Sequence, residues 1–91
     1  MAYKLVRLNS VLALTARSRS AHYVDIKDGL FTPPVKIGGR AVAWPQNEVD
    51  EINAARVAGK SKSEIRELVC GLVAKRTDTH ESESEAPALR I

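Results

Sequence analysis

Arg17, Arg19, Ser20, Tyr23 and Lys27 fall close together in the chain, and Lys36 and Arg40 flank a Gly38-Gly39 pair a little further on. These residue types suit a polyanion. Guanidinium and ammonium groups neutralise phosphates, and arginine, serine and tyrosine also carry directional groups that can meet base edges. Arg19 and Ser20 stand at the predicted start of a helix, where free backbone amides add to the attraction for a phosphate. Arg19 could instead make a bidentate contact with guanine. Tyr23 and Lys27 follow one and two turns later, within reach of sugar, phosphate or base. Arg17, in the preceding turn, reads as a phosphate contact. The competing reading is a solvated helix face for Arg19 and Lys27, and core packing for Tyr23. Arg40, beside a predicted hairpin tip, can enter a narrow minor groove where negative potential concentrates; its alternative is to lay its stem over Ile37. Lys36 points off the apolar face of that hairpin. The candidate DNA-binding set is therefore Arg17, Arg19, Ser20, Tyr23, Lys27, Lys36 and Arg40.

The charge distribution agrees with this set. The whole chain of 91 residues carries a net +3. Residues 1–44 hold Lys4, Arg7, Arg17, Arg19, Lys27, Lys36 and Arg40 against only Asp25 and Asp28. Residues 45–76 are nearly balanced, and 77–91 set Arg90 against Asp78, Glu81, Glu83 and Glu85. A basic N-terminal half is what a polyanion-binding face produces. The same excess also fits a solvated, cation-rich surface.

Other chemistries find little support. His22, His80 and the lone Cys70 lack the spacing of a zinc site, and no serine or cysteine has an identifiable base partner, so neither a metal, a cofactor nor enzymatic activity is expected. Gly38-Gly39 lacks the lysine of a phosphate-binding loop and the G-x-G-x-x-G pattern, and reads as a turn. The single cysteine fits a reducing compartment. No apolar run approaches the roughly 20 residues of a membrane span, and no signal segment opens the chain. The expectation is a soluble, cytoplasmic protein.

The elements that must position the candidate set can be read in order. Tyr3–Leu8 alternates loosely, as a short strand or extended arm. Asn9 is a candidate N-cap for a first helix over Ser10–Ala16. Ser18 is the next cap, with a second helix from Arg19 to about Asp28 and Gly29 at the left-handed position that ends it. Two helices so closely joined outline a helix-turn-helix. His22 and Ile26, one turn apart, are expected to face inward, with His22 a hydrogen-bonded core residue. After Thr32-Pro33-Pro34, the runs Val35–Ile37 and Arg40–Trp44 predict a hairpin about Gly38-Gly39, pairing Ile37 with Arg40 and Val35 with Val42. Val35, Ile37, Val42 and Trp44 would then share one face, and Trp44 reads as core. Pro45 suits the first turn of a third helix over about Gln46–Ala58, closed by Gly59. Ser61 and Glu64 form a capping box. Helix four follows, with Ile65, Leu68, Val69, Leu72 and Val73 in one stripe. We expect a single winged helix-turn-helix domain over 1–76 and a disordered acidic tail over 77–91.

In this frame, the run "LNSVLALTARSRSAHY" followed by "KDGLFTPPVKIGGRAVAWP" resembles the AlpA-like regulatory proteins of prophages and genomic islands. The matching residues are Ser18-Arg19-Ser20, Tyr23, Gly29, Phe31, Pro34-Val35, Gly38, Arg40-Ala41-Val42 and Trp44, and "NEVDEINAARVAGKSKSEIRELV" continues the likeness, for coverage of about 6–76. The chain departs from the family pattern at Ala16 (often glycine), Thr32 (proline), His22 (apolar) and Asp25 (leucine).

The resemblance implies a mainly α fold with a small β-hairpin, a winged helix-turn-helix of the MerR/excisionase-like kind with about four helices. It further implies a bacterial, nucleoid-associated regulator of an integrated element, acting on transcription, on excision (a recombination directionality factor), or on both. The partners it implies are double-stranded DNA at a promoter or attachment site, further copies of the chain on that DNA, and an integrase. The alternative is a protein–protein interaction module that docks a partner through the amphipathic helix 61–76.

Overall fold

Aliphatic spacing and two proline-bounded turns gather the chain around Trp44 in the computed structural model, which describes residues 3–84. Strand β1 (Leu5–Val6) leads into α1 (Leu8–Thr15) and α2 (Arg19–Lys27); β2 (Val35–Gly38) and β3 (Ala41–Pro45) follow, then α3 (Gln46–Val57) and α4 (Lys62–Ser84). The architecture is mainly helical with a three-stranded antiparallel sheet of order β1-β3-β2, a winged helix-turn-helix. Val11, Phe31, Trp44, Val49, Ile52, Ile65, Val69 and Leu72 form the core. Trp44 donates its indole N–H to the Thr32 carbonyl at 2.9 Å, which ties the Thr32-Pro33-Pro34 segment to the sheet.

The helix-turn-helix is shaped by local chemistry at most of its joints. Ser18 caps α2, its Oγ accepting from the Ala21 amide at 3.1 Å. Gly29, at φ +78, closes it, with the Leu30 amide donating back to the Asp25 carbonyl at 2.8 Å. The start of α1 differs from expectation. The helix begins at Leu8 with Arg7 at the N-cap and no side-chain cap bond, so Asn9 lies inside the first turn. Packing of Val6 and Leu8 against the core sets where the strand gives way to the helix and outweighs the cap preference of Asn9.

Ala16 ends α1 in the left-handed region, at φ 58. A Cβ is disfavoured there, and glycine is the residue that carries no penalty. Ala16→Gly is therefore expected to raise stability by up to about 1 kcal/mol, read as a higher urea midpoint; a lower midpoint would contradict the strain.

The hairpin forms, but in a different register from the one expected. Val35 pairs with Ala43, Lys36 with Val42 and Gly38 with Ala41, with an irregularity between Lys36 and Gly38. Gly38 (φ +145) and Gly39 (φ +51) both take positive φ, and the turn itself falls on Gly39-Arg40. The bulge takes Ile37 out of the ladder and leaves it exposed. A shift of one residue exchanges faces, so Lys36 shares a face with Val42, and the grouping of Val35, Ile37, Val42 and Trp44 on one side does not hold. Ala43 and Trp44 are neighbours on opposite faces of β3, the central strand, and both are fully buried.

Helix α3 begins at Gln46 as the sequence suggests, with Pro45 as both the last residue of β3 and the N-cap, just ahead of the first turn. Val49 and Ile52 are fully buried, and Asn53 Nδ2 donates to the Leu14 carbonyl at 2.9 Å, holding α3 against the end of α1. Before α4 the capping box is complete: the Ser61 amide donates to Glu64 Oε1 at 2.9 Å and the Glu64 amide to Ser61 Oγ at 3.1 Å. Hydrogen bonding of the ionised carboxylate by the Ser61 backbone amide, and then by the Ser61 side chain, lowers the Glu64 pKa. Ile65, Val69 and Leu72 spend the apolar stripe of α4 on the chain's own core.

No glycine or proline interrupts the sequence between Gly71 and Pro87, and helical backbone continues past Arg76 to Ser84. The expectation of a disordered tail over 77–91 thus falls on helical backbone at 77–84. Residues 85–91 lie outside the described part of the chain. No described helix is long and apolar enough to cross a membrane.

Candidate nucleic-acid interface

The helical period of 3.6 residues places Arg19, Ser20, Tyr23, Val24 and Lys27 along one side of α2. All five are exposed, Tyr23 by 43% and Val24 by 54%. On the other side His22 and Asp25 are buried and Ile26 is half-buried. The structure thus brings together four of the candidate residues and adds Val24, which sequence reasoning did not single out. Its signal was available: Val24 stands one turn after Ser20 on the polar face, where an apolar side chain has no core to join. An aliphatic group there can meet the methyl of thymine.

His22 holds α2 to the core through its ring. Its centroid lies 4.8 Å from Phe31, 5.1 Å from Trp44 and 5.5 Å from Tyr23, all edge-on. The expected burial is present, but the expected hydrogen bonds are not. Neither ring nitrogen has a partner among the described residues, because the ring is packed among other rings.

Burial lowers the His22 pKa; Arg56 and Arg17 act in the same direction, and Asp25 opposes them. The folded chain therefore resists a proton that the unfolded chain accepts near the ordinary value of 6.5. The unfolded state binds more protons below that value, so stability is full above about pH 6.5, falls as the pH drops through it, and levels off below the folded pKa. His22→Leu removes two unpaired buried nitrogens, worth about 1–3 kcal/mol, and loses ring contacts of about 0.5–1.5 kcal/mol each. We expect near-neutral stability at about pH 7.5 and a stabilised variant at about pH 5. Thermal melts at the two pH values check this; an unchanged pH slope would refute it.

Asp25 is buried with two cations. Arg17 donates Nε to Oδ2 and Nη2 to Oδ1, both at 2.9 Å, and Arg56 donates Nη2 to Oδ2 at 3.2 Å. The pair of arginines compensates the buried carboxylate and locks α2 to the preceding turn and to α3. Arg17 is therefore engaged within the chain, apart from the exposed face of α2.

The seven arginines of residues 3–76 sort into two groups. Arg17 and Arg56 hold Asp25, Arg66 Nε donates to the Asp28 carbonyl at 2.9 Å, and Arg76 holds Glu48. Arg7, Arg19 and Arg40 have no internal hydrogen bond or ion pair among the described residues. These three line a single cleft of about 260 Å³, completed by Leu8, Asn9 and Val42. Arg7 is the second residue that sequence reasoning missed, since only the fold brings the N-cap of α1 beside the start of α2 and the hairpin tip. Lys36 is exposed on β2 and stands outside the cleft.

A helix-turn-helix with one exposed polar helix face, followed by a hairpin whose tip arginine lines the same cleft as the start of that helix, defines a small winged helix-turn-helix protein. The family described as prophage CP4-57 regulatory protein (AlpA) matches residues 4–57, so the chain belongs to the AlpA family of prophage regulatory proteins. It is also 39% identical over 59 residues to the uncharacterized protein ORF88 of Enterobacteria phage P4, covering 65% of this chain and 67% of that one. No solved structure matches the chain.

Proposed function

We propose that the chain binds double-stranded DNA in a sequence-dependent way, with α2 in the major groove and the β2–β3 hairpin on the adjacent backbone, and that it regulates transcription or excision of an integrated element. The observation that carries this reading is the sorting of the arginines. Four are spent inside the fold, while three unpaired ones converge beside the exposed face of α2. Unpaired guanidiniums held close together repel each other unless an anion joins them. Membership of a prophage regulatory family supports the same role. The interaction-module alternative loses ground because Ile65, Val69 and Leu72 are buried in the chain's own core.

Binding should depend strongly on salt. If Arg7, Arg19, Lys27, Lys36 and Arg40 each neutralised a separate phosphate, log K would fall with log[salt] at a slope of roughly −4.5, and cations that share a phosphate make the slope shallower. Anisotropy titrations at several salt concentrations, on promoter and attachment-site duplexes from the source replicon, give that slope. A slope near zero would remove the electrostatic basis of the reading. The contact area of one such module is small, so stable occupancy would require several copies side by side on the DNA.

A further inference from the structure

We propose that the cleft between Arg7, Arg19 and Arg40 seats one backbone phosphate of the bound duplex, clamped from three elements at once. The inference rests on the DNA-binding reading and deepens it. Each guanidinium comes from a different place: Arg7 from the N-cap of α1, Arg19 from the first residue of α2, and Arg40 from the turn between β2 and β3. No carboxylate lines the cleft, so nothing in the site offsets the three charges. The planar fork of a guanidinium matches two oxygens of a phosphate, and such charge-assisted pairs are the strong ones. The volume, about 260 Å³, is many times the roughly 10–15 Å³ that one water needs by the same measure, so a phosphate group fits. Leu8 and Asn9, the first residues of α1, also line the cleft, so a helix N-terminus lies beside the anion and adds a smaller attraction of the same sign.

The arrangement has a consequence for the hairpin. Arg40 shares its phosphate with Arg19 and does not enter a minor groove independently. One anion then locks the hairpin tip, the recognition helix and the N-cap of α1 into one register on the duplex. Phosphate contacts of this kind position a protein and carry no base preference of their own. Base reading falls to Ser20, Tyr23, Val24 and Lys27 further along α2.

The test is a scan of the bound duplex with single neutral methylphosphonate substitutions, repeated for Arg7→Ala, Arg19→Ala and Arg40→Ala. Wild type should show one position where the substitution weakens binding most. Each variant should bind intact duplex about tenfold more weakly and show a reduced sensitivity at that same position, where two guanidiniums still hold the phosphate. Arg7→Ala combined with Arg40→Ala should weaken binding by less than the product of the two single effects, since both lose one shared anion. Arg7→Lys should recover part of the loss, and a circular dichroism spectrum like that of wild type shows that each variant is folded. If the three arginines track three different phosphates, or if Arg7→Ala binds like wild type, the clamp is overturned and the DNA-binding reading stands. If wild type binds no duplex at all, the DNA-binding reading fails and the clamp with it.

Discussion

Arg76→Ala is expected to lower folding stability by about 3–5 kcal/mol, the cost of leaving a buried charge without its partner. Glu48 is only 2% exposed, and Arg76 meets it with Nε at 2.8 Å and Nη2 at 2.6 Å. The same Nη2 donates to the Pro33 carbonyl at 2.9 Å, so one guanidinium joins α4, the first turn of α3 and the segment that leads into the hairpin. The Arg76 side chain is 22% exposed, which leaves little solvent to screen the pair or to replace its bonds. Small domains hold roughly 5–15 kcal/mol in all, so the loss is a large share of the total. Glu48→Leu combined with Arg76→Leu should lose less than Arg76→Ala alone, because no uncompensated charge remains. Urea denaturation of the three proteins checks both statements. A loss below about 1 kcal/mol in the single variant, the size of an exposed pair, would show that the clasp is solvated.

The second large effect concerns binding. Arg19→Ala should weaken affinity for duplex roughly tenfold to a hundredfold, the worth of a hydrogen bond to a charged group. The salt slope should become shallower, by at most about 1, because Arg7 and Arg40 still face the same phosphate. Folding should be unaffected, because Arg19 is exposed and has no internal partner. A phosphate contact weakens all sequences alike, so the ratio of specific to scrambled binding should barely move. That ratio should fall instead with Val24→Ser or Tyr23→Ala, which alter the part of α2 facing the bases. Competition titrations with the two duplexes separate the cases. If Arg19→Ala abolishes preference and leaves scrambled binding intact, Arg19 reads a base and lies outside the phosphate cleft.

Features decided within a few residues were legible in the sequence. The Ser18 cap, Gly29 behind α2, the Ser61–Glu64 box and the stripe Ile65, Val69, Leu72 all act over one or two helical turns, and each appears where the spacing placed it. Arg19, Ser20, Tyr23 and Lys27 share a face for the same reason. Features decided by contacts across the fold were not legible. The start of α1 answers to the packing of Leu8, and the hairpin register to a bulge made possible by two successive positive-φ glycines. The fate of each arginine is likewise a tertiary matter. Arg17 and Arg7 look alike in the sequence, yet Arg17 meets Asp25 on the next helix while Arg7 meets Arg19 and Arg40 around a cleft. The burial of His22 followed from its spacing to Ile26, but the absence of its hydrogen bonds depends on the rings of Phe31 and Trp44.

The claim that this chain holds DNA with the arginines its fold leaves unpaired is tested most directly by one titration series. Wild type, Arg19→Ala and Arg66→Ala are compared on promoter and attachment-site duplexes against scrambled duplex at fixed salt. Arg66 is the control: it is equally charged and exposed, but its Nε is bonded to the Asp28 carbonyl. The account predicts wild-type preference for a native duplex, a loss of roughly tenfold or more for Arg19→Ala, and little change for Arg66→Ala. Equal losses in the two variants, or wild-type binding that is absent or no better on native than on scrambled DNA, would contradict it.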